Sequence, residues 1–176
     1  MGLQSLIFYT LVTWLPDLLS NYNYSNDEAG WMLFLLQISI FPTTIVIPMM
    51  AEKLKNQSAL SVFGSILFVL GTLGFMVGSG FVLVLSSISI GLASGTTLSL
   101  CMMFFSLRTK DGRQAAEVSG MAQSVGYLLA ALGPWLFGLL FDVSGDMFFS
   151  LTMLLICSII MIFVGFFSGL NRFVSV

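Results

Sequence analysis

VSGMAQSVGYLLAALGPWLFGLLF, residues 118–141, decides how the rest of the chain is read. The stretch has the length of a bilayer crossing, roughly 20 apolar residues at about 1.5 Å rise each. Within it Gly120, Gln123, Tyr127, Ala130 and Pro134 recur at three- and four-residue steps and so share one face of a helix. An amide without a partner is costly in hydrocarbon, so Gln123 is expected to look into the protein or a wet cavity. The Gly133-Pro134 pair weakens the backbone ladder where a neighbour or water must repair it. The expectation is a helix that lines a path.

The composition agrees with a membrane setting. Of the 176 residues 57% are hydrophobic and 8% charged, against about 25% charged in soluble domains. Long continuous apolar runs, rather than alternating ten-residue segments, predict helices and not a β-barrel. Six spans are expected, at about 3–19, 29–51, 58–79, 82–106, 116–141 and 146–170. They form one transmembrane domain over 1–176, an all-α membrane protein. No basic, short-apolar, cleavage-site pattern opens the chain, so no signal peptide is expected.

The first span closes at Trp14-Leu15-Pro16-Asp17, an interfacial Trp followed by a helix end. Counting back a full crossing overruns Met1, which predicts a helix that was longer in a parent protein, with Gln4 near mid-membrane. Ser25 and Glu28 fit a capping box for the second span, which contains Gln37, Pro42 and Pro48. Gln37 reads equally as an interhelical hydrogen bond or as a solute contact. Gly64, Gly71, Gly74 and Gly78 in the third span, and Ser87, Gly91, Gly95 and Ser99 in the fourth, read as packing seams. Thr96 and Thr97 beside the second seam are candidates to give hydroxyls to a cavity. The sixth span is the greasiest and is expected to be peripheral.

The basic residues are Lys53, Lys55, Arg108, Lys110, Arg113 and Arg172. With six alternating spans, all of them fall on one side. Asp17, Asp27, Glu28, Asp142 and Asp146 fall on the other. This positive-inside pattern predicts a multi-pass protein of the cell (plasma) membrane with both termini cytoplasmic. A net charge of −2 argues against a nucleic-acid partner.

Histidine is absent, which removes Ser–His and Cys–His catalysis and His-containing zinc sites. Cys101 and Cys157 lie in apolar runs and read as small hydrophobes. No catalytic residue, metal or cofactor is expected. No charged residue sits deep in a span, so the available chemistry is neutral hydrogen bonding from Gln4, Gln37, Gln123, Tyr127 and Thr96. Gln123 and Tyr127, one turn apart, are placed to grip one small solute, or else to bond neighbouring helices. Pro42, Gly133 and Pro134 are the expected kink or gating positions. Spans two and five share a rough Gly, Gln, Pro layout, a faint internal symmetry of the kind found in transporter repeats.

GLQSLIFYTLVTWLP at the start and SGMAQSVGYLLAALGPWLFGLLFDVSG in the fifth span resemble the major facilitator superfamily, and most of all its cyanate-permease and nitroimidazole-efflux branch. The resemblance runs along the whole chain and corresponds to the second six-helix half. It implies one half, a three-plus-three inverted repeat, of an alternating-access transporter for a small neutral or anionic solute. It also implies that the first, second, fourth and fifth spans line a cavity while the third and sixth face lipid. The partners it implies are the bilayer, the solute, and a missing N-terminal half or a second copy. Members often carry a glycine, acidic and basic motif after the second helix of a half. The stretch from Pro48 to Gln57 matches it at Glu52 and Lys53 and departs at Pro48, Lys55, Asn56 and Gln57. A solvated ion pair is therefore preferred to a gate there.

Four other readings stand beside transport. A structural or regulatory six-helix subunit would use the same polar residues as glue. A truncated half would not transport by itself. An intramembrane protease is disfavoured by the missing histidine, and an aquaporin-like channel by the lack of paired Asn-Pro-Ala motifs.

Overall fold

The computed structural model describes residues 1–54 and 56–170. They form α1 (Gly2–Asn21), α2 (Asn26–Ile38), α3 (Ile40–Glu52), α4 (Ser58–Val77), α5 (Gly80–Leu107), α6 (Gly112–Ser144) and α7 (Met147–Gly169). Among the described residues five stretches are long and apolar enough to cross a bilayer, with α2 and α3 counting together as Asn26–Glu52. The expected first span does not join that group. Gln4, Ser5, Thr10, Thr13, Asp17 and Ser20 dilute α1, although Ile7, Leu11, Leu15 and Leu18 make it one of the most deeply packed helices of the bundle.

The second span is broken at Ser39, and Pro42 accounts for the break. Proline has no N–H to offer the carbonyl of Ile38 four residues back, and its ring crowds that carbonyl. Ser39 covers the step by giving Leu35 O both its N–H (3.1 Å) and its Oγ–H (2.6 Å). Pro42 then falls in the first turn of α3, where a missing donor is harmless. α2 begins with the Ser25–Glu28 capping box.

α5 sits between α4 on one side and α2–α3 on the other. On the α4 side, Gly64 receives Thr96 and Thr97, Gly71 receives Ile90, and Gly74 receives Ser86. Gly78 has another task than the expected seam. It ends α4 at φ +68, a left-handed cap that glycine adopts without strain, with the Tyr22 ring packed on it. On the other side, Gly91 lies against Leu36 and Ser39, and Gly95 against Ile40 and Thr43. Hydroxyls join neighbouring helices by donating to backbone carbonyls: Ser58 to Phe166 O and Ser150 to Phe137 O (both 2.8 Å), and Ser65 to Met161 O at 3.1 Å. Each gives a helix pair a bond that lipid cannot supply.

Arg108, one of the charges assigned to the basic side, is tied into the bundle. It is 7% exposed at the end of α5. Its guanidinium donates to the last carbonyls of α7, those of Gly169 (3.2 Å) and Leu170, and to Gln57 Oε1 at 3.1 Å. Gln57 in turn donates to Ala51 O (3.2 Å) and Leu54 O (2.9 Å) at the end of α3. A cation on unsatisfied carbonyls at a helix C-terminus is the favourable arrangement. Burial pushes the Arg108 pKa down from its usual value. Glu52 and Lys53 are exposed at the C-terminal end of α3, and Arg113 pairs with Glu117 at 3.0 Å on the exposed start of α6. Lys55 and Arg172, both used in the charge pattern, lie outside the described residues.

Large apolar side chains cover the outside. Trp31, Phe41, Phe81, Leu128, Val143 and Phe163 are each more than 60% exposed. Water would not tolerate such a surface, and hydrocarbon or a protein partner does.

Candidate substrate pocket

α1 and α6 lie closest where glycine removes the side chain. Gly126 meets Gly2, Gly133 meets Thr10 and Leu6, and Gly138 meets Trp14. The Trp14 indole donates to Pro134 O at 3.0 Å, so a neighbouring helix serves the backbone beside the proline. α6 continues as one helix through Gly133 and Pro134.

This close pairing aligns the polar residues of α1 with one face of α6. A pocket of about 80 Å³ is lined by Gln4, Ser5, Phe8 and Tyr9 of α1, Ile40 of α3, Ser94 and Leu98 of α5, and Tyr127 of α6. The break at Ser39 brings Ile40 to its wall. Gln4 is 5% exposed, and Ser5 Oγ donates weakly to Gln4 Oε1 at 3.4 Å. Gln4 Nε2 and the Tyr9 and Tyr127 hydroxyls make no hydrogen bond among the described residues. Ser94 commits its hydroxyl to Ile90 O at 2.7 Å. The free polarity is therefore one amide NH₂ open to the pocket and two phenols, with no charged side chain on the wall. An open groove of about 360 Å³, lined by Tyr9, Tyr127, Ala130, Ala131 and Pro134, adjoins it.

The expected site residues part company here. Gln4 and Tyr127 come together. Gln123 does not line the pocket, and its Nε2 donates to Ser119 Oγ at 2.7 Å within its own helix. Gln37 lies on the exposed face of α2. Thr96 is fully buried against Gly64 of α4, and its Oγ1 has no partner. Tyr9 is the addition. It sits in the apolar run LIFYT, where its spacing from Gln4 carries no helical-face signal, and only the partner helix reveals it. A larger recess of about 180 Å³ between α4, α5, α6 and α7 offers little polarity. Its Ser65 and Thr97 hydroxyls are spent on backbone carbonyls, and Ser61 Oγ is sealed off. Convergent free polar groups, rather than size, single out the smaller pocket.

The profile of the Major Facilitator Superfamily matches residues 1–174. An uncharacterised transporter, YycB, of Bacillus subtilis is 35% identical over 175 residues, which is 99% of this chain and 44% of that protein. The 2-nitroimidazole transporter of Escherichia coli is 34% identical over 174 residues, 98% of this chain and 44% of its own length. The cyanate transport protein CynX of Escherichia coli is 24% identical over 139 residues, 79% of this chain and 36% of that protein. No solved structure matches the chain. It thus spans less than half the length of these relatives. The chain belongs to the Major Facilitator Superfamily, in the branch that includes cyanate and nitroimidazole transporters.

Proposed function

We propose that this chain is the C-terminal six-helix half of a secondary transporter that moves a small neutral or anionic solute across the cell membrane by alternating access. α1 joins the five apolar stretches as the first span in this reading, carried across by packing against α6 despite its polar residues. The halves of the bundle form a three-plus-three repeat, and both ends face the cytoplasm. The observation that carries the reading is the idle Gln4 NH₂ in one pocket with Tyr9 and Tyr127. At bilayer depth an amide with idle donors is expensive unless water or a solute visits it. The names of the relatives, transporters of 2-nitroimidazole and cyanate, support a compact solute.

The exposed surface supports a partner half. Trp31, Phe34, Ile38, Phe41, Ile45 and Met49 form a stripe at three- and four-residue steps along α2–α3. Met121, Val125, Leu128, Leu132, Trp135 and Leu139 form another along α6. These stripes have the spacing of a helix–helix seam, and they run along the least buried of the candidate spans. An N-terminal half, or a second copy in its place, covers them and closes the other side of the pocket.

The test is transport in membrane vesicles carrying this chain with a six-helix first half from a relative, using 2-nitroimidazole as probe. Gln4→Ala is expected to lower the rate without lowering membrane yield, and Gln123→Ala to lower it less. Unchanged transport by both variants would remove the amides from the path. A purely structural subunit, the competing reading, predicts no solute-dependent rate in any variant.

A further inference from the structure

Tyr9 and Tyr127 are the two residues shared by the half-open pocket around Gln4 and the shallower groove beside it. Their rings meet edge to face, with centroids 6.4 Å apart and an interplanar angle of 62°. One ring comes from α1 and the other from α6, and each is nearly half exposed on the groove side. Behind them the pocket holds about 80 Å³, well below the roughly 150 Å³ of a cavity that accepts benzene. A flat ring does not fit behind the pair as it stands, but its polar end does. The wall there offers hydrogen-bond donors and no cation. Placing an anion there would strip its water without supplying a counter-charge.

From this we infer that Tyr9 and Tyr127 form an aromatic gate over the Gln4 compartment. The compartment takes the acceptor-bearing end of a neutral, flat molecule whose ring displaces the tyrosine pair. The inference rests on the transport reading for its ligand, but the gate itself does not. Gln4 Nε2 donates to the carbonyl, nitro or similar oxygen of the ligand, while Gln4 Oε1 accepts weakly from Ser5. Tyr9 is thereby a specificity-determining residue that no periodicity in the sequence marks.

The gate is read by thiol labelling in membranes carrying the full chain. Cys101→Ala and Cys157→Ala remove the native thiols, and Ser94→Cys or Leu98→Cys supplies a reporter inside the compartment. N-ethylmaleimide is expected to label the reporter slowly while both tyrosines are present or when Tyr9→Phe keeps the ring. Tyr9→Ala or Tyr127→Ala is expected to speed labelling about tenfold, the scale of losing one aromatic pair. Equal rates with and without the rings at both reporter positions overturn the gate. The ligand class is read by protection, comparing benzamide with benzoate, which has nearly the same shape and a negative charge. Protection by benzamide alone is the expected result. Equal or better protection by benzoate overturns the neutral class. If neither probe protects while ring removal still speeds labelling, the ligand class fails and the gate stands. Protection that does not depend on the rings refutes the gate and leaves the transport reading intact.

Discussion

Gln4 and Gln123 carry the same amide and meet different fates, because one is aimed at a space and the other at its own helix. Gln123 satisfies itself on Ser119 one turn back, whereas Gln4 keeps its NH₂ idle beside two phenols. What aims Gln4 is the close approach of α1 to α6, and that depends on single glycines. A Cβ at Gly133 would stand 2.8 Å from Leu6 Cγ and 3.1 Å from the Leu6 carbonyl oxygen, and would press on Thr10 Oγ1 as well. Gly133→Ala is therefore expected to cost about 1–3 kcal/mol as an overpacked contact, read as a lowered Tm in detergent. Gly120→Ala, with nothing within 4 Å of its Cβ, is the control and should leave Tm unchanged or slightly raised. Both glycines look alike in the sequence, on or beside one polar face, and only the neighbouring helix tells them apart.

At the scale of helices, the ends of α3, α5 and α7 are tied together. Arg108 spans from α5 to the last carbonyls of α7 and to Gln57, which holds the end of α3. Hydrogen bonds to a charged group contribute about 1.5–3 kcal/mol each, more than neutral ones. Arg108→Gln is expected to lower stability by about 2–4 kcal/mol, because part of the network is lost and the Gln57 oxygen is left buried. Hydrogen exchange should rise first at the C-terminal turn of α7 and the end of α3. Uniform exchange across all helices would count against a local tie. The break between α2 and α3 is the other event at this scale. Pro42 foretells an irregularity, but its position, at Ser39, follows from the i−4 carbonyl that proline cannot serve.

For the whole molecule, the exposed apolar stripes on α2–α3 and α6 separate two kinds of surface. Those stripes are expected to meet the partner half, and the outer face of α7, with Phe163 and Phe167, is expected to meet lipid. Cysteine at Phe41 or Leu128 should therefore crosslink to a co-expressed first half, while cysteine at Phe163 should not. Co-expression should also raise the membrane yield of this chain by covering surface that otherwise faces hydrocarbon. Crosslinks from position 163 alone would place the partner on the opposite side and reverse the proposed arrangement.

The sequence by itself determined the class of molecule and the packing grammar. Apolar run lengths made it helical and membrane-bound, the quoted motifs led to the superfamily, and capping residues such as Ser25 and Glu28 began a helix where the backbone needed acceptors. These are local properties, written in neighbours along one chain. Only the tertiary structure decided which polar groups are free. It withdrew Thr96 to a helix interface, left Gln37 outside, buried Arg108 and put Tyr9 opposite Tyr127. The reason is physical. Whether a donor is idle depends on the atoms that another helix brings within about 3 Å, and spacing along a single helix fixes the face of a side chain but not what stands across from it.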